Sequence, residues 1–371
     1  MRFNLKKTPV VAFAACLALV CHLNSQSQAI NFRIDDPIPV TNQEGQKILL
    51  VGMQGNSVTF QFTGTGMGGA EASIPVDPDS RIRLSYSYPD NFSDIQFNVL
   101  NGNYDQALRA IRNPPINLLR FLAVPEPNCN FHLYSEIYYR ALVYAGAPQV
   151  AVEATAAIPW NSPYLPPIFL EHASTLLNRM VNEQRIEATE KLLNTLQSGL
   201  SVTQFSNLAL PVADKLRLLG ENEIVESIYD ALSQSSDAKM RKLGLMWTAY
   251  NLANTGATGE AKRILEDVGE VTQDSPLFAV YCLAQGRLAL SEENSIQALR
   301  FLSRAMVRTT IADSYKPEIY FLMIQSYMMD ENKVPASRLA KEMAVFYPNN
   351  MWRKSIINRF PEIKQEDPIT P

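Results

Sequence analysis

The sequence has few of the residues that build metal sites, disulfide frameworks and most catalytic centres. Its 371 residues include four cysteines, three histidines and three tryptophans. No Cys-x-x-Cys pair and no cluster of cysteine with histidine occurs, so the spacing of a structural zinc site is missing. Only Cys129 and Cys282 follow residue 29, and they lie far apart in sequence. We therefore expect two unpaired cysteines and no disulfide framework.

Runs of basic residues and long apolar runs are missing as well. The formal net charge is −4 at pH 7, and no basic run is present. Without such a run, the chain has no electrostatic basis for binding nucleic acid. After the N-terminal region, no segment has the roughly 20 apolar residues that a membrane-spanning helix needs. These absences predict no nucleic-acid partner and no integral membrane segment in the processed chain.

The N-terminus has the pattern of a secretory signal peptide. Basic residues between positions 2 and 7 precede an apolar run at 9–23, and small residues follow at Ser27 and Ala29. A basic head, a short apolar stretch and a small-x-small cleavage site are typical of such signals. Residues 1–29 therefore predict export, with a periplasmic, envelope-associated or secreted product. A short membrane anchor and lipid modification of a cysteine in the apolar run are the alternatives.

The remaining candidates for chemistry do not form a catalytic or metal-binding constellation. His132 and His172 follow the signal, but no pattern resembling a catalytic triad accompanies them, so we expect packed or solvated side chains. The aspartates at 35–36 and 77–79 lack the further spaced acidic residues of a calcium loop. We predict a protein that is not an enzyme, with no catalytic residue, no cofactor and no metal.

Residues 46–90 are predicted to form a small β-meander or SH3-like module, preceded by a linker at 30–45. Apolar and polar residues alternate between glycine, aspartate and proline punctuation, which indicates short antiparallel strands. Four strands are expected, at 47–51, 58–62, 70–76 and 81–86. The loop at 64–69 has G-x-G-x-x-G spacing, but a strand pattern follows it where a dinucleotide site needs a helix. We interpret it as a hairpin loop.

Residues 91–360 are predicted to form an α-solenoid of about seven helix pairs. A small residue recurs one turn into the second helix of each pair, after a turn rich in Gly, Asn or Glu. The positions are Ala107, Ala151, Ala188, Val225, Ala261, Ala298 and Ala336, separated by 44, 37, 37, 36, 37 and 38 residues. A small side chain allows the two helices of a pair to approach closely, and each pair leaves an apolar face for the next.

Two stretches depart from this regularity. The interval 113–167 contains nine prolines and the 44-residue step, so we expect extended loops there. The polar, proline-punctuated segment 361–371 is predicted to be a flexible tail.

The helical region resembles the tetratricopeptide repeat family. The sixth repeat has small residues at Gly286, Ala298 and Ala305, at positions where the family consensus has small residues; the last repeat adds Tyr320 and Pro348. Departures are Val225 in place of Ala, Arg179 in place of an aromatic residue, and a step longer than the family's roughly 34 residues. The resemblance implies stacked helix pairs with a concave groove that binds proteins or peptides.

The resemblance also implies which residues line that groove. Carried onto the last three repeats, the inner face of each first helix contains Met246, Tyr250, Leu283, Arg287, Phe321, Gln325 and Met328. Mixed apolar, aromatic and arginine surfaces are typical of protein contacts. The Lys/Asn carboxylate clamp of some family members is absent. Each of these side chains would alternatively belong to the core between repeats.

The predicted function is an exported, non-enzymatic scaffold that holds a protein or peptide partner of the cell envelope in the groove. The alternative is a polysaccharide- or cell-wall-binding protein that uses the β module. An exposed aromatic platform of Phe60, Phe62, Tyr86 and Tyr88 would favour that alternative, whereas burial of these rings would count against it.

Overall fold

The structure is a computed structural model that describes residues 30–63 and 69–363. It is mainly helical (62%), with a five-stranded antiparallel half-barrel sheet preceding sixteen helices in the described residues, which confirms the predicted fold class. The chain divides into two compact units between Leu176 and Leu177. The predicted signal peptide, most of the glycine-rich loop and residues 364–371 of the predicted tail lie outside the described residues.

The sheet has one more strand than the sequence predicts. The strands are β1 (Asn31–Thr41), β2 (Lys47–Gln54), β3 (Ser57–Phe62), β4 (Glu71–Pro75) and β5 (Ser85–Tyr86), in the order β4-β3-β2-β1-β5. All neighbouring pairs are antiparallel. The predicted strand at 81–86 is reduced to the two residues of β5, which pair with the end of β1.

The predicted linker at 30–45 is wrong for most of its length, because β1 occupies Asn31–Thr41. The alternation is interrupted where the pairing of β1 with β2 shifts register between Arg33 and Ile38. Ile34 and Ile38 are both buried, and the residues between them are exposed. A bulge of this kind tolerates the polar residues and the proline that hide the strand pattern.

The sheet shares its core with the helical segment that follows it. Buried residues of the strands, including Leu50 and Phe60, form one hydrophobic cluster with Phe121, Phe131 and Tyr134. The sheet is therefore not packed as a separate module ending at residue 90.

Two asparagines link the sheet to the helical segment, because their side chains form hydrogen bonds with the backbone near β5. The Asn130 amide accepts a hydrogen bond from the Tyr86 N–H (2.7 Å) and donates one to the Tyr86 carbonyl (2.9 Å). The side-chain amide of the fully buried Asn128 donates to the Ser80 Oγ at 2.7 Å, and the Asn128 backbone carbonyl accepts a hydrogen bond from the Leu84 N–H. These bonds satisfy backbone groups at the end of the sheet.

Most of the helices form pairs joined by turns of two or three residues. The pairs are α1 (Phe92–Leu100) with α2 (Tyr104–Ala110), α4 (Phe131–Tyr144) with α5 (Pro148–Ala157), α6 (Ile168–Asn182) with α7 (Ile186–Gly199), α8 (Val202–Leu219) with α9 (Asn222–Ser233), α10 (Ala238–Thr255) with α11 (Thr258–Val268), α12 (Phe278–Ser291) with α13 (Ser295–Arg308), and α14 (Lys316–Met329) with α15 (Lys333–Phe346). Two helices lie outside the pairs, α3 (Ile116–Arg120) and α16 (Met351–Arg359).

Six of the seven turns have the same backbone conformation. Each contains one residue with positive φ, either glycine or a polar residue: Gly102, Gln184, Gly220, Gly256, Glu293 and Glu331. The residue after it donates a backbone hydrogen bond to the carbonyl five residues earlier, as Ala257 does to Leu252 (2.9 Å). This is the Schellman motif, which satisfies carbonyls at the helix end.

The small-residue register is confirmed for six pairs and corrected by one position in the other. The fourth residue of each second helix is fully buried: Ala107, Ala151, Thr189, Val225, Ala261, Ala298 and Ala336. Thr189 occupies this position in α7, whereas the predicted Ala188 is only half-buried. The Thr189 hydroxyl donates to the Arg185 carbonyl at 2.9 Å, so the buried polar group is satisfied.

The proline-rich interval contains the extended connections that its composition predicts. Helix α3 and two short 3₁₀ segments, Phe121–Ala123 and Glu126–Asn128, separate the first pair from the second. They account for the long 44-residue step. Residues 158–167 then connect α5 to α6.

Candidate functional site

A cavity of about 370 Å³ lies in the second unit, where four first helices and the terminal helix α16 meet. Side chains from α8, α10, α12, α14 and α16 line it. The ones that define its character are Arg217, Tyr250, Arg287, Phe321, Trp352 and Arg359. Helix α10 packs on α12, α12 on α14, and α16 on both α14 and α15, which brings these side chains together.

One side of the cavity rests on a buried ionic network centred on Arg217. Its Nη2 lies 2.6 Å from the Asp214 carboxylate and 2.5 Å from the Glu318 carboxylate. Tyr250 donates its hydroxyl proton to Glu318 at 2.5 Å, and Arg217 donates to the Tyr229 hydroxyl. The side chains of Arg217 and Glu318 are each only 1% exposed.

Aromatic rings complete the surroundings of Arg217. Its guanidinium lies 4.5 Å from the centre of the Trp247 ring and 5.2 Å from that of Tyr250. Arginine is suited to this environment, because its delocalised charge stacks on aromatic faces while its N–H groups bind carboxylates.

The positive charge of Arg217 is paired with the carboxylates of Asp214 and Glu318 within the network. Burial raises the pKa of the Glu318 carboxyl, and the attraction of Arg217 only partly offsets this. Burial also raises the pKa of Tyr250, so its hydroxyl stays protonated and remains a donor. Removing one member of such a network leaves a buried group without its partner, which is strongly destabilising. We interpret Arg217, Asp214 and Glu318 as a structural support for the cavity.

The other arginines of the cavity have no carboxylate partner among the described residues. The Arg287 Nη2 reaches the Asn254 carbonyl only at 3.5 Å, and its Nε is buried without a hydrogen-bond partner. The Arg359 guanidinium lies 6.0 Å from the centre of the Phe321 ring, and this ring is 5.0 Å from that of Trp352. Arg359 therefore lies beside the rings of Phe321 and Trp352, and Arg287 lines the same cavity.

The structure brings three of the seven predicted groove residues together in this cavity: Tyr250, Arg287 and Phe321. Met246 and Leu283 are fully buried and do not line the cavity, which places them in the core; Tyr250 and Phe321 are buried as well, but they line it. Gln325 and Met328 are half-buried and do not line this cavity.

Arg217, Trp352 and Arg359 were not among the residues predicted from the sequence. The turns contain a signal for the ionic network beside the cavity. Tyr250 and Arg287 each lie six residues before the positive-φ residue of their turn. The same count back from Gly220 reaches Asp214, a member of the buried network. Helix α16 lies after the last pair, so no repeat register extends to Trp352 and Arg359.

The aromatic residues of the sheet do not form the exposed platform that a polysaccharide site would need. Phe60 is buried in the core of the first unit, and Phe62, Tyr86 and Tyr88 are partly buried against the same core. Tyr88 also donates its hydroxyl proton to the Asn130 carbonyl at 2.6 Å.

The histidines and cysteines among the described residues are packed side chains. His132 Nε2 lies 2.8 Å from the Val124 carbonyl, and burial lowers the pKa of this histidine. His172 is 3% exposed and lies 3.1 Å from the Glu136 carboxylate. Cys129 and Cys282 are free, as predicted.

The described acidic residues do not form a metal site. Within residues 30–63 and 69–363, no group of three His, Cys, Asp or Glu side chains could hold a metal ion. The glycine-rich loop connects two strands, β3 and β4. In the same residues, no helix is long and apolar enough to cross a membrane.

Comparison of the chain with protein-family profiles, with curated proteins and with solved structures finds no match. The site is therefore interpreted from its own geometry.

Proposed function

We propose that this protein is an exported, non-enzymatic scaffold that binds a partner protein of the cell envelope through its second unit. The observation that carries the proposal is the convergence of Tyr250, Arg287 and Phe321 with Trp352 and Arg359 around one cavity. Arginine and large aromatic residues are the types that dominate binding energy at protein interfaces. Export is proposed from the sequence pattern of residues 1–29.

We further propose that the helix pairs are divergent tetratricopeptide-like repeats. The repeated turn and the fully buried small position support this relationship, because they are features of paired helices that stack closely. Val225 and Thr189 at the small position, together with the long step between repeats, mark the divergence.

Site-specific photo-cross-linking in the cells that make the protein tests the scaffold function. A photoreactive phenylalanine analogue replaces Trp352, which lines the cavity and is half-buried. The matched control carries the analogue at Ile296, a 70% exposed residue of α13 that does not line the cavity. We expect a specific cross-linked protein from the Trp352 position alone, and its loss when Arg359→Glu is added.

Equal capture from Trp352 and Ile296, or capture from Trp352 that Arg359→Glu does not reduce, would contradict the cavity as the binding site. A third position, Ser73 on the edge strand β4, tests the alternative use of the sheet. Capture of the same partner from Ser73 but not from Trp352 would move the binding role to the sheet. Amino-terminal sequencing of the exported chain, expected to start at Ile30, tests the export step separately.

A further inference from the structure

We propose that the cavity binds the carboxylate of an acidic side chain in the partner polypeptide, next to an apolar or aromatic residue of that partner. This inference rests on the proposed function and specifies the chemistry of the bound segment. The carboxylate would bind Arg287 and Arg359, and the neighbouring side chain would pack on Phe321 and Trp352.

The charge comes from the unpaired guanidinium groups. Arg217 already has two carboxylates, whereas Arg287 and Arg359 have none among the described residues. The chain as a whole is acidic, with a formal net charge of −4. The two unpaired arginines therefore make the cavity locally positive, in contrast to the rest of the chain. A carboxylate is complementary to this charge and to the forked donor geometry of arginine.

The hydrogen bonding of Arg287 points to the same ligand. A guanidinium has five N–H donors, and the one hydrogen bond of Arg287 to a described residue is the long contact with Asn254. Its Nε is buried without a hydrogen-bond partner, so the donors left for a ligand are those of the terminal Nη1 and Nη2 groups. A ligand carboxylate supplies acceptors for two adjacent N–H groups at once.

The aromatic wall distinguishes a polypeptide segment from a simple anion. Phe321 and Trp352 lie 5.0 Å apart between ring centres, and Phe321 is 5% exposed while Trp352 is half-buried. Their faces favour an apolar or aromatic group, which inorganic phosphate does not have. The volume of about 370 Å³ is at the lower end for ligand pockets, so it suits a short anchor of a longer chain.

Two small probes test the inference with the full processed chain: N-acetyl-Phe-Glu-amide and its matched control N-acetyl-Phe-Gln-amide, titrated by saturation-transfer NMR. The Glu probe should bind at least about tenfold more tightly than the Gln probe, because only Glu forms charge-assisted hydrogen bonds. Added salt should weaken its binding. Equal affinities for the two probes, or displacement of the Glu probe by an equal concentration of inorganic phosphate, would overturn the inference.

Arginine variants assign the binding to this cavity. Arg287→Gln and Arg359→Gln should each reduce the affinity for the Glu probe about tenfold and bring it to the level of the Gln probe. Arg338→Gln, which changes an exposed arginine of α15 outside the cavity, should leave it unchanged. Arg359 is exposed, so its variant keeps the test valid if Arg287→Gln unfolds. Unaltered binding in Arg359→Gln would overturn the assignment.

The acidic residues Glu366 and Asp367 of the chain's own C-terminus are another source of carboxylate. A chain ending at Ile363 separates the two sources. Equal binding of the Glu probe to both chains supports a partner ligand, whereas binding only to the shortened chain would show that the chain fills its own cavity. Partner capture without any preference for the Glu probe would leave the scaffold proposal standing and remove the carboxylate.

Discussion

Gly286 on α12 packs directly against Leu302 on α13. A Cβ atom added to Gly286 would lie 2.7 Å from the Leu302 side chain, which is fully buried. Such a contact is too short for two carbon atoms, so the helices of this pair approach as closely as they do because residue 286 has no side chain.

Gly286→Ala should therefore destabilise the protein. Overpacking costs about 1–3 kcal/mol, and the better helix propensity of alanine returns at most about 1 kcal/mol. The free energy of unfolding in urea measures the difference. Gly259→Ala on α11 is the matched control, because its added Cβ meets nothing within 4 Å, and it should be neutral or slightly stabilising. A stabilising effect of Gly286→Ala would contradict the packing.

The corrected register of α7 predicts opposite sensitivities of two neighbouring residues. Thr189 is fully buried at the small position, so Thr189→Leu should cost about 1–3 kcal/mol through overpacking. Ala188 is half-buried, and Ala188→Leu should change the stability by no more than about 0.5 kcal/mol. Urea unfolding of the two variants decides the register, and a larger loss for Ala188→Leu would restore the original assignment.

The Arg33–Glu71 ion pair on the sheet surface predicts a lowered pKa for the Glu71 carboxyl. The Arg33 Nη1 donates to Glu71 at 3.0 Å, and the bonds from Arg33 and then Gln61 lower the pKa of the Glu71 carboxyl from 4.5 to about 2. Because the folded pKa is lowered, the pair's contribution to stability is present above pH 4.5. It is lost as the pH falls towards 2.

Carboxyl ¹³C NMR of the folded protein measures this midpoint directly. Arg33→Gln should raise the pKa of Glu71 towards its ordinary value, since the largest cause of the shift is removed. An unchanged titration midpoint of Glu71 in that variant would show that Arg33 is not the cause of the lowered pKa. Both side chains are exposed, so salt should weaken the effect.

The two free cysteines should react slowly with thiol reagents. Burial raises the pKa of Cys129 to about 12 and that of Cys282 to about 11, so little thiolate is present at neutral pH. In a chain that starts at Ile30, we expect almost no release of chromophore from a disulfide reagent at pH 8 until denaturant is added. Two thiols that react at once in the native protein would contradict this.

The repeated helix pairs were predictable because their signals are local. The positive-φ residue and the small buried residue lie five positions apart, as with Gly256 and Ala261, so one short pattern predicts both the turn and the close packing. The error at Ala188 arose because the residue five positions after Gln184 is Thr189 and not alanine, so the pattern of small residues pointed to the neighbouring alanine. Strand β1 was missed because its bulge interrupts the alternation that marks a strand.

The cavity could be predicted only in part, because its contacts join residues that are remote in sequence. The groove hypothesis included Tyr250, Arg287 and Phe321, but it could not separate them from the core residues Met246 and Leu283. All five have the same helical spacing, and only the packing of neighbouring helices determines which of them reach the cavity.

The sequence by itself determined the helix-pair period and the unpaired state of Cys129 and Cys282. Tertiary structure alone decided which arginines are available for a ligand. Arg217 meets Glu318 across 101 residues of sequence, and their burial makes the pairing obligatory. Arg287 and Arg359 receive no such partner among the described residues, because charge pairing depends on which side chains folding brings within a few ångströms of each other.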